Sequence, residues 1–248
     1  MLQLNMETTM DRTLWAFGDS HTRGASLSLH WDRAQCEKWF LENTGYTNFE
    51  QGILLNNSLS MNKKNRLMIN WAKSVNFVDD PDLTYAGVIS KKLGTNYINL
   101  AKNGHGLDSV VLELNAALPK INIQKDIVIV GLPSFARYLG RTNRGITPYN
   151  INSYNEMVFP SDFSLKHLYM GLISRIKNII PNAKFIKINK SFIDEVNLYS
   201  EYDNLCINKY DMHNLSDSSG SSGQYPDAHF IEEIHELLAA HILETCQF

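Results

Sequence analysis

The chain has 248 residues, 44% of them apolar and 20% charged, with a formal net charge of −3 and a pI near 6.2. That length fits one domain with a core large enough to need neither disulfides nor metal staples. The mild acidity gives no general drive toward nucleic acid or an anionic membrane. No run of eighteen apolar residues exists, so no membrane span is expected, and the N-terminal MLQLNMETTMDR lacks the basic-then-apolar order of a secretory signal. Cys36, Cys206 and Cys246 are widely spaced and form no C-x-x-C, a pattern that predicts partly buried free thiols in a reducing compartment. The expected location is the cytoplasm, with association with a virus particle as the alternative.

Short apolar runs alternate with helical periodicity along most of the chain, which predicts a parallel sheet covered by helices on both faces. The first strand is expected at 13–17 (TLWAF). Residues 30–82 then break the alternation. They are rich in aromatics (Trp31, Trp39, Phe40, Tyr46, Phe49, Trp71) and too long for a structureless loop in a compact domain. An insertion with some helix of its own is expected there. Its aromatics are read as filling a small core of that insertion, with a sugar-binding platform as the alternative. Thr84 can cap a helix over 85–93, and a second strand follows at 96–100 (NYINL). Leu107, Val110, Val111, Leu114 and Leu118 recur at helical spacing. The run 126–132 (DIVIVGL) is almost continuously apolar, as a strand buried on both faces should be. Leu165, Leu168, Leu172, Ile176 and Ile179 predict another helix, with Ser161 or Ser164 as N-cap and Pro181 as the stop. A fourth strand is expected at 183–189 and a weaker fifth near 205–207. The stretch 216–223 (SDSSGSSG) has the composition of a flexible linker. A terminal helix carries Ile231, Ile234, Leu238 and Ile242.

Chemistry concentrates at strand ends. In FGDSHTRGAS (17–26) the first strand closes on Gly18, and Asp19, Ser20 and a helix start follow. Ligands of open parallel sheets bind at the carboxyl ends of strands. A serine there has an exposed hydroxyl and a backbone N–H able to stabilise a developing oxyanion. The plain alternative is an Asp-Ser helix cap. The second strand runs into NLAKNGHGLDSV (99–110), where Asn103-Gly104 can be a simple turn or can present a backbone N–H with no Cβ in the way. The third strand ends in GLPSFAR. The last helix is preceded by YPDAHF, whose Asp227 and His229 share one side if the segment is extended.

Taken in order, these four segments resemble the signature blocks of the SGNH/GDSL hydrolase family. The resemblance covers about residues 14–242. It implies a flavodoxin-like three-layer α/β/α sandwich on a five-stranded parallel sheet, here a single domain over 1–248 with the insertion at about 30–82. It also implies a serine esterase cleaving small acyl esters, such as O-acetyl groups on carbohydrate. In that reading Ser20 is the nucleophile, His229 its base, Asp227 the orienting acid and Gly104 a backbone oxyanion donor; His235 is structural. Two blocks depart from the family pattern. Pro133 and Ser134 replace the Asn-Asp of the third, and the fourth reads D-x-H rather than D-x-x-H. Proline has no donor, so Ser134 or Asn103 are the candidates for the missing oxyanion contact. Arg137 is either a substrate contact or a surface cation. No cofactor or metal is implied: the eight histidines form no H-E-x-x-H, although His21 and His105 stand beside the proposed site. The sequence style also resembles GDSL-like proteins encoded by phages. The alternative function is a catalytically impaired binding or structural protein on the same fold. A flavin- or nucleotide-binding protein is a poorer fit, because the loop at 18–26 offers little to cradle a phosphate.

Overall fold

The computed structural model describes residues 12–44, 71, 75, 78–133, 137–142, 145–150, 162–188 and 229–248. Strand β1 (Thr13–Phe17) pairs in parallel with β2 (Asn96–Asn99) on one side and β3 (Ile127–Leu132) on the other. A further strand, numbered β6 here because a hairpin intervenes (Lys184–Lys187), pairs in parallel with β3. The order is β2-β1-β3-β6, so among the described residues the sheet has four strands rather than the five expected. The fifth expected strand, near 205–207, falls outside the described residues, as does the linker at 216–223.

Alternation along each strand divides the core in two. Leu14 and Ala16 of β1, Ile127 and Ile129 of β3, and Ile186 of β6 point to one face. There they meet helix α3 (Tyr85–Leu93) and the terminal helix α6 (Glu232–Thr245), together with Leu27, Cys36 and Trp39. Trp15, Phe17, Val128, Val130, Leu132 and Phe185 point to the other face, against α4 (Leu107–Ala117) and α5 (Asp162–Ile179). Helices on both faces are the reason the central strands read as unbroken apolar runs.

Local signals account for the element ends. The Thr84 side chain accepts from the Gly87 N–H, and Gly94 closes α3 in the left-handed conformation. Asp126 precedes β3, and its carboxylate accepts from Thr13 N, Trp15 Nε1 and Asn122 N, tying the start of β1 to that of β3. Ser164 lies inside α5 and is therefore not its cap, while Ser161 lies outside the described residues. The strands β4 (Arg137–Thr142) and β5 (Gly145–Asn150) form an antiparallel hairpin that β3 leads into and that lies against α4. Polar residues, glycine and proline hid it in the sequence.

The segment 30–82 does contain helix, α2 (Arg33–Thr44). Its described tryptophans do not form a separate small core, nor a platform. Trp71 is fully buried and Trp39 nearly so, packed with Leu27, Cys36 and the α3–α6 face of the sheet. Trp31 and Trp39 meet the Trp71 ring edge-on at 4.9 and 5.1 Å, the arrangement that ring quadrupoles favour. The cysteine expectation is corrected too: Cys36 is a buried free thiol, but Cys246 is disulfide-bonded. Cys206 is outside the described residues. An odd count with no motif conceals a pairing, and the bond removes the cysteine-based reason for a reducing compartment. Among the described residues no helix is long and apolar enough to cross a membrane.

His235 ties α6 to α3. Its Nδ1 accepts the Tyr85 backbone N–H at 3.3 Å, and the two rings stack with 5° between planes. Burial, and secondarily the charge of neighbouring His229, hold its pKa down to about 3 against an ordinary 6.5.

Two outcomes test this packing. Trp71→Ala removes a fully buried ring and should lower stability by about 3–5 kcal/mol, read as a lower urea midpoint at unchanged slope. For His235 the unfolded chain takes up a proton below about pH 6.5, whereas the native chain does so only near 3. The stability it contributes is therefore complete above pH 6.5 and lost as pH falls toward 3. His235→Gln keeps an acceptor but cannot titrate, so its stability should fall less steeply between about pH 6.5 and 4. Parallel pH profiles for the two proteins would contradict the burial of a neutral imidazole.

Candidate active site

The site is assembled where β1 ends. Asp19 is extended and fully buried, and its Oδ1 accepts the His21 N–H at 3.1 Å. Helix α1 (Ser20–Arg23) is a single turn, closed by Gly24, whose N–H donates to the Ser20 carbonyl. Ser20, His21 and Thr22 are all buried, and Ser20 is 6% exposed. A turn this short has little macrodipole, so its use to an oxyanion lies in individual N–H groups.

Thr22 fixes the height of this turn over the sheet. Its Oγ1 lies 2.9 Å from the Tyr85 hydroxyl, and its carbonyl accepts from Asn99 Nδ2 at 2.7 Å. Asn99 also donates to the Tyr97 hydroxyl and, through Oδ1, accepts the Ala101 N–H. Tyr97 in turn contacts Thr84 Oγ1, the cap of α3. Burial pushes the Tyr85 and Tyr97 phenols well above the usual range, so both stay neutral donors and acceptors.

The loop bearing Gly104 is tied to the same strand end. Leu100 N donates to Ala16 O, and Lys102 N donates to Gly18 O at 3.2 Å. Gly104 has φ +77°, and a Cβ built there would meet nothing within 4 Å. Glycine is thus required by the left-handed backbone rather than by crowding, and the Cα faces open space. Asn103 is exposed in the same turn. The half-buried His105 follows, with a buried Nδ1 that has no hydrogen-bond partner among the described residues. Desolvation, then the nearby Lys102 ammonium, lowers its pKa against the opposing carboxylates of Glu113 and Asp108.

The segment ahead of α6 arrives beside α1. The His229 ring centroid is 5.1 Å from that of His21, and the next ring, Phe230, is 5.3 Å from His21. Phe230 and Ile231 are buried in the α3–α6 core, which anchors the half-buried His229 at the surface of that core. The loop after α1 reaches the same helix start, where His30 Nδ1 lies 3.3 Å from Glu232 Oε2.

Of the residues singled out in the sequence, Ser20, Asn103, Gly104 and His229 therefore belong to one end of the sheet. Ser134 and Asp227 lie outside the described residues. Arg137 opens β4 in register with Asn150. Pro133, in the altered block, is buried, and its carbonyl accepts the Tyr169 hydroxyl at 2.7 Å. Sequence reading missed Thr22, Asn99 and Tyr85 as positioning groups. Only Asn99, which opens NLAKNG, carried a visible signal, and it was read as motif context.

No protein-family model and no curated protein matches the chain. Solved structures do. A family two carbohydrate esterase from Clostridium thermocellum, in complex with cellohexaose, is 16% identical at a TM-score of 0.45, over 95% of this chain and 63% of that one. The chain thus spans less than two thirds of that esterase. The esterase EstA from Pseudoalteromonas sp., inhibited by monoethylphosphonate, is 12% identical at a TM-score of 0.47, over 95% and 96% of the two chains. A putative lipolytic protein of the G-D-S-L family from Desulfitobacterium hafniense is 11% identical at a TM-score of 0.48, over 95% and 100%. The described residues form a parallel α/β sheet with helices on both faces, the layered architecture expected.

Proposed function

We propose that this chain is a serine ester hydrolase working by two-step acyl transfer. In acylation His229 takes the Ser20 proton as Oγ attacks an ester carbonyl, and the tetrahedral oxyanion is held by the Ser20 and Gly104 N–H groups. Collapse expels the alcohol, which receives the proton from His229. Water, deprotonated by His229, then releases the acid and restores Ser20. Asp227 orients the imidazole and stabilises its charged form. Ser134 or Asn103 supplies a third oxyanion contact, and Arg137 meets the substrate. Small acyl esters, with O-acetyl groups on carbohydrate first among them, are the substrate class that the motifs imply. The observation that carries this reading is the ring contact between His229 and His21, the residue next to Ser20.

One observation favours a second reading, a binding protein with an impaired site. Where the family has a donor, Pro133 has none, and its carbonyl is engaged by Tyr169.

Hydrolysis of p-nitrophenyl acetate and of acetylated oligosaccharides separates the two. Ser20→Ala and His229→Ala should each lower kcat at least about a thousandfold, and Asp227→Asn by up to about 10⁴. A fluorophosphonate probe should label Ser20 alone. Equal rates in wild type and all three variants, with no label, would establish the binding protein instead.

A further inference from the structure

We propose that His21 is a positioning residue for the base: its ring is the wall against which the His229 imidazole is held. The inference rests on the reading of His229 as base and extends it to a residue that motif comparison leaves without a task.

Two features make His21 suited to this. Its own position is fixed by the turn that carries the nucleophile: its N–H is bonded to the buried Asp19 carboxylate, and it is only 9% exposed. Its ring also contacts two consecutive residues of the other segment, His229 at 5.1 Å with planes 58° apart and Phe230 at 5.3 Å with planes 47° apart. A tilted pair at such separations is an attractive aromatic arrangement. Through it, the distance between the Ser20 turn and the segment before α6 is set by ring on ring. The need is also evident in the sequence, where the acid stands two residues before His229 instead of three. An orienting acid in altered register gives added weight to packing as a second constraint on the imidazole. Misplacement of about 1 Å at a reacting group can lower a rate about 100-fold, so a ring contact is sufficient to matter.

The test uses the full chain with His21→Ala and His21→Phe. His21→Ala should lower kcat on p-nitrophenyl acetate by about 10- to 100-fold with KM within about twofold. His21→Phe, which keeps a ring of similar breadth, should retain at least about a third of wild-type kcat. A readout independent of turnover comes from ¹⁵N-histidine ring spectra, with His229 assigned by its absence in His229→Gln. The His229 signals should shift and broaden in His21→Ala and return to one sharp set in His21→Phe. Unmoved His229 signals in folded His21→Ala would overturn the proposal. So would His21→Phe behaving like His21→Ala in both measurements, because the ring would then act through its nitrogens. If wild type hydrolyses nothing, the esterase reading fails by itself, and the ring spectra alone decide whether His21 holds His229.

Discussion

The placement of the Thr22 side chain against the backbone of Gly131 is the contact on which the site depends. A Cβ on Gly131 would lie 2.1 Å from Thr22 Oγ1 and 2.5 Å from the Tyr85 hydroxyl. Only a residue without a side chain lets α1 settle this far down onto the end of β3. Once Thr22 is there, its hydroxyl meets Tyr85 from α3 and its carbonyl meets Asn99 from the end of β2. Three elements distant in sequence are thereby fastened to the turn that begins at Ser20. The loop of Gly104 follows, because Asn99 also holds Ala101 and because Lys102 bonds to Gly18. The proposed nucleophile and the proposed oxyanion donor are thus located by one backbone approach.

The polar web around this approach is buried yet almost uncharged. Tyr85 and Tyr97 remain neutral, as does His235 through most of the pH range in which proteins are stable. Each hydrogen bond in such a web adds only about 1 kcal/mol net, whereas orphaning a partner costs about 1–3. The web therefore selects one geometry more than it adds stability. Asp19 is the exception, a carboxylate with no exposure. Burial is the main cause that raises both Tyr85, on one face of the sheet, and Tyr169, on the other, and Asp19 is a lesser one. Asp19 stands just past the end of β1, where ligands of parallel sheets bind. Around His229 the constraint is apolar: Phe230 and Ile231 sink into the core, and His229 is left at its edge.

How much of this was legible follows from which forces act locally. The strand at 13–17 and the Thr84 cap were readable because burial on both faces and capping leave marks within a few residues. The Ser20, Gly104 and His229 segments could be singled out because each stands at an element end with residue types suited to the proposed chemistry. The β4–β5 hairpin was not, since Arg137, Gly140 and Pro148 carry no alternation and pairing was decided by partner strands. Nor were the tryptophans of 30–82 correctly placed. Their aromatic content predicted a core but could not say whose, and the α3–α6 face took Trp39 and Trp71. The contacts of Thr22 with Tyr85 and of His21 with His229 span 63 and more residues, beyond the reach of periodicity.

For the proposed enzyme, magnitudes set what the altered third block would cost. Pro133 has no side-chain donor, so the proposed mechanism draws that contact from Ser134 or Asn103 instead. A single oxyanion donor is worth about 10²–10³ in rate, or about 3–4 kcal/mol. Enzymes lower barriers by about 8–23 kcal/mol in total. Most of that would derive from what the proposed site retains: a serine at the strand end, an imidazole packed against the ring of the next residue, and backbone N–H groups. In the proposed mechanism the left-handed Gly104 gains weight, since the family's side-chain donor is absent at Pro133. A site built on backbone donors is also less easily emptied by substitution than one built on an asparagine. Loss of the side-chain donor therefore sets the rate of such an enzyme without removing its mechanism.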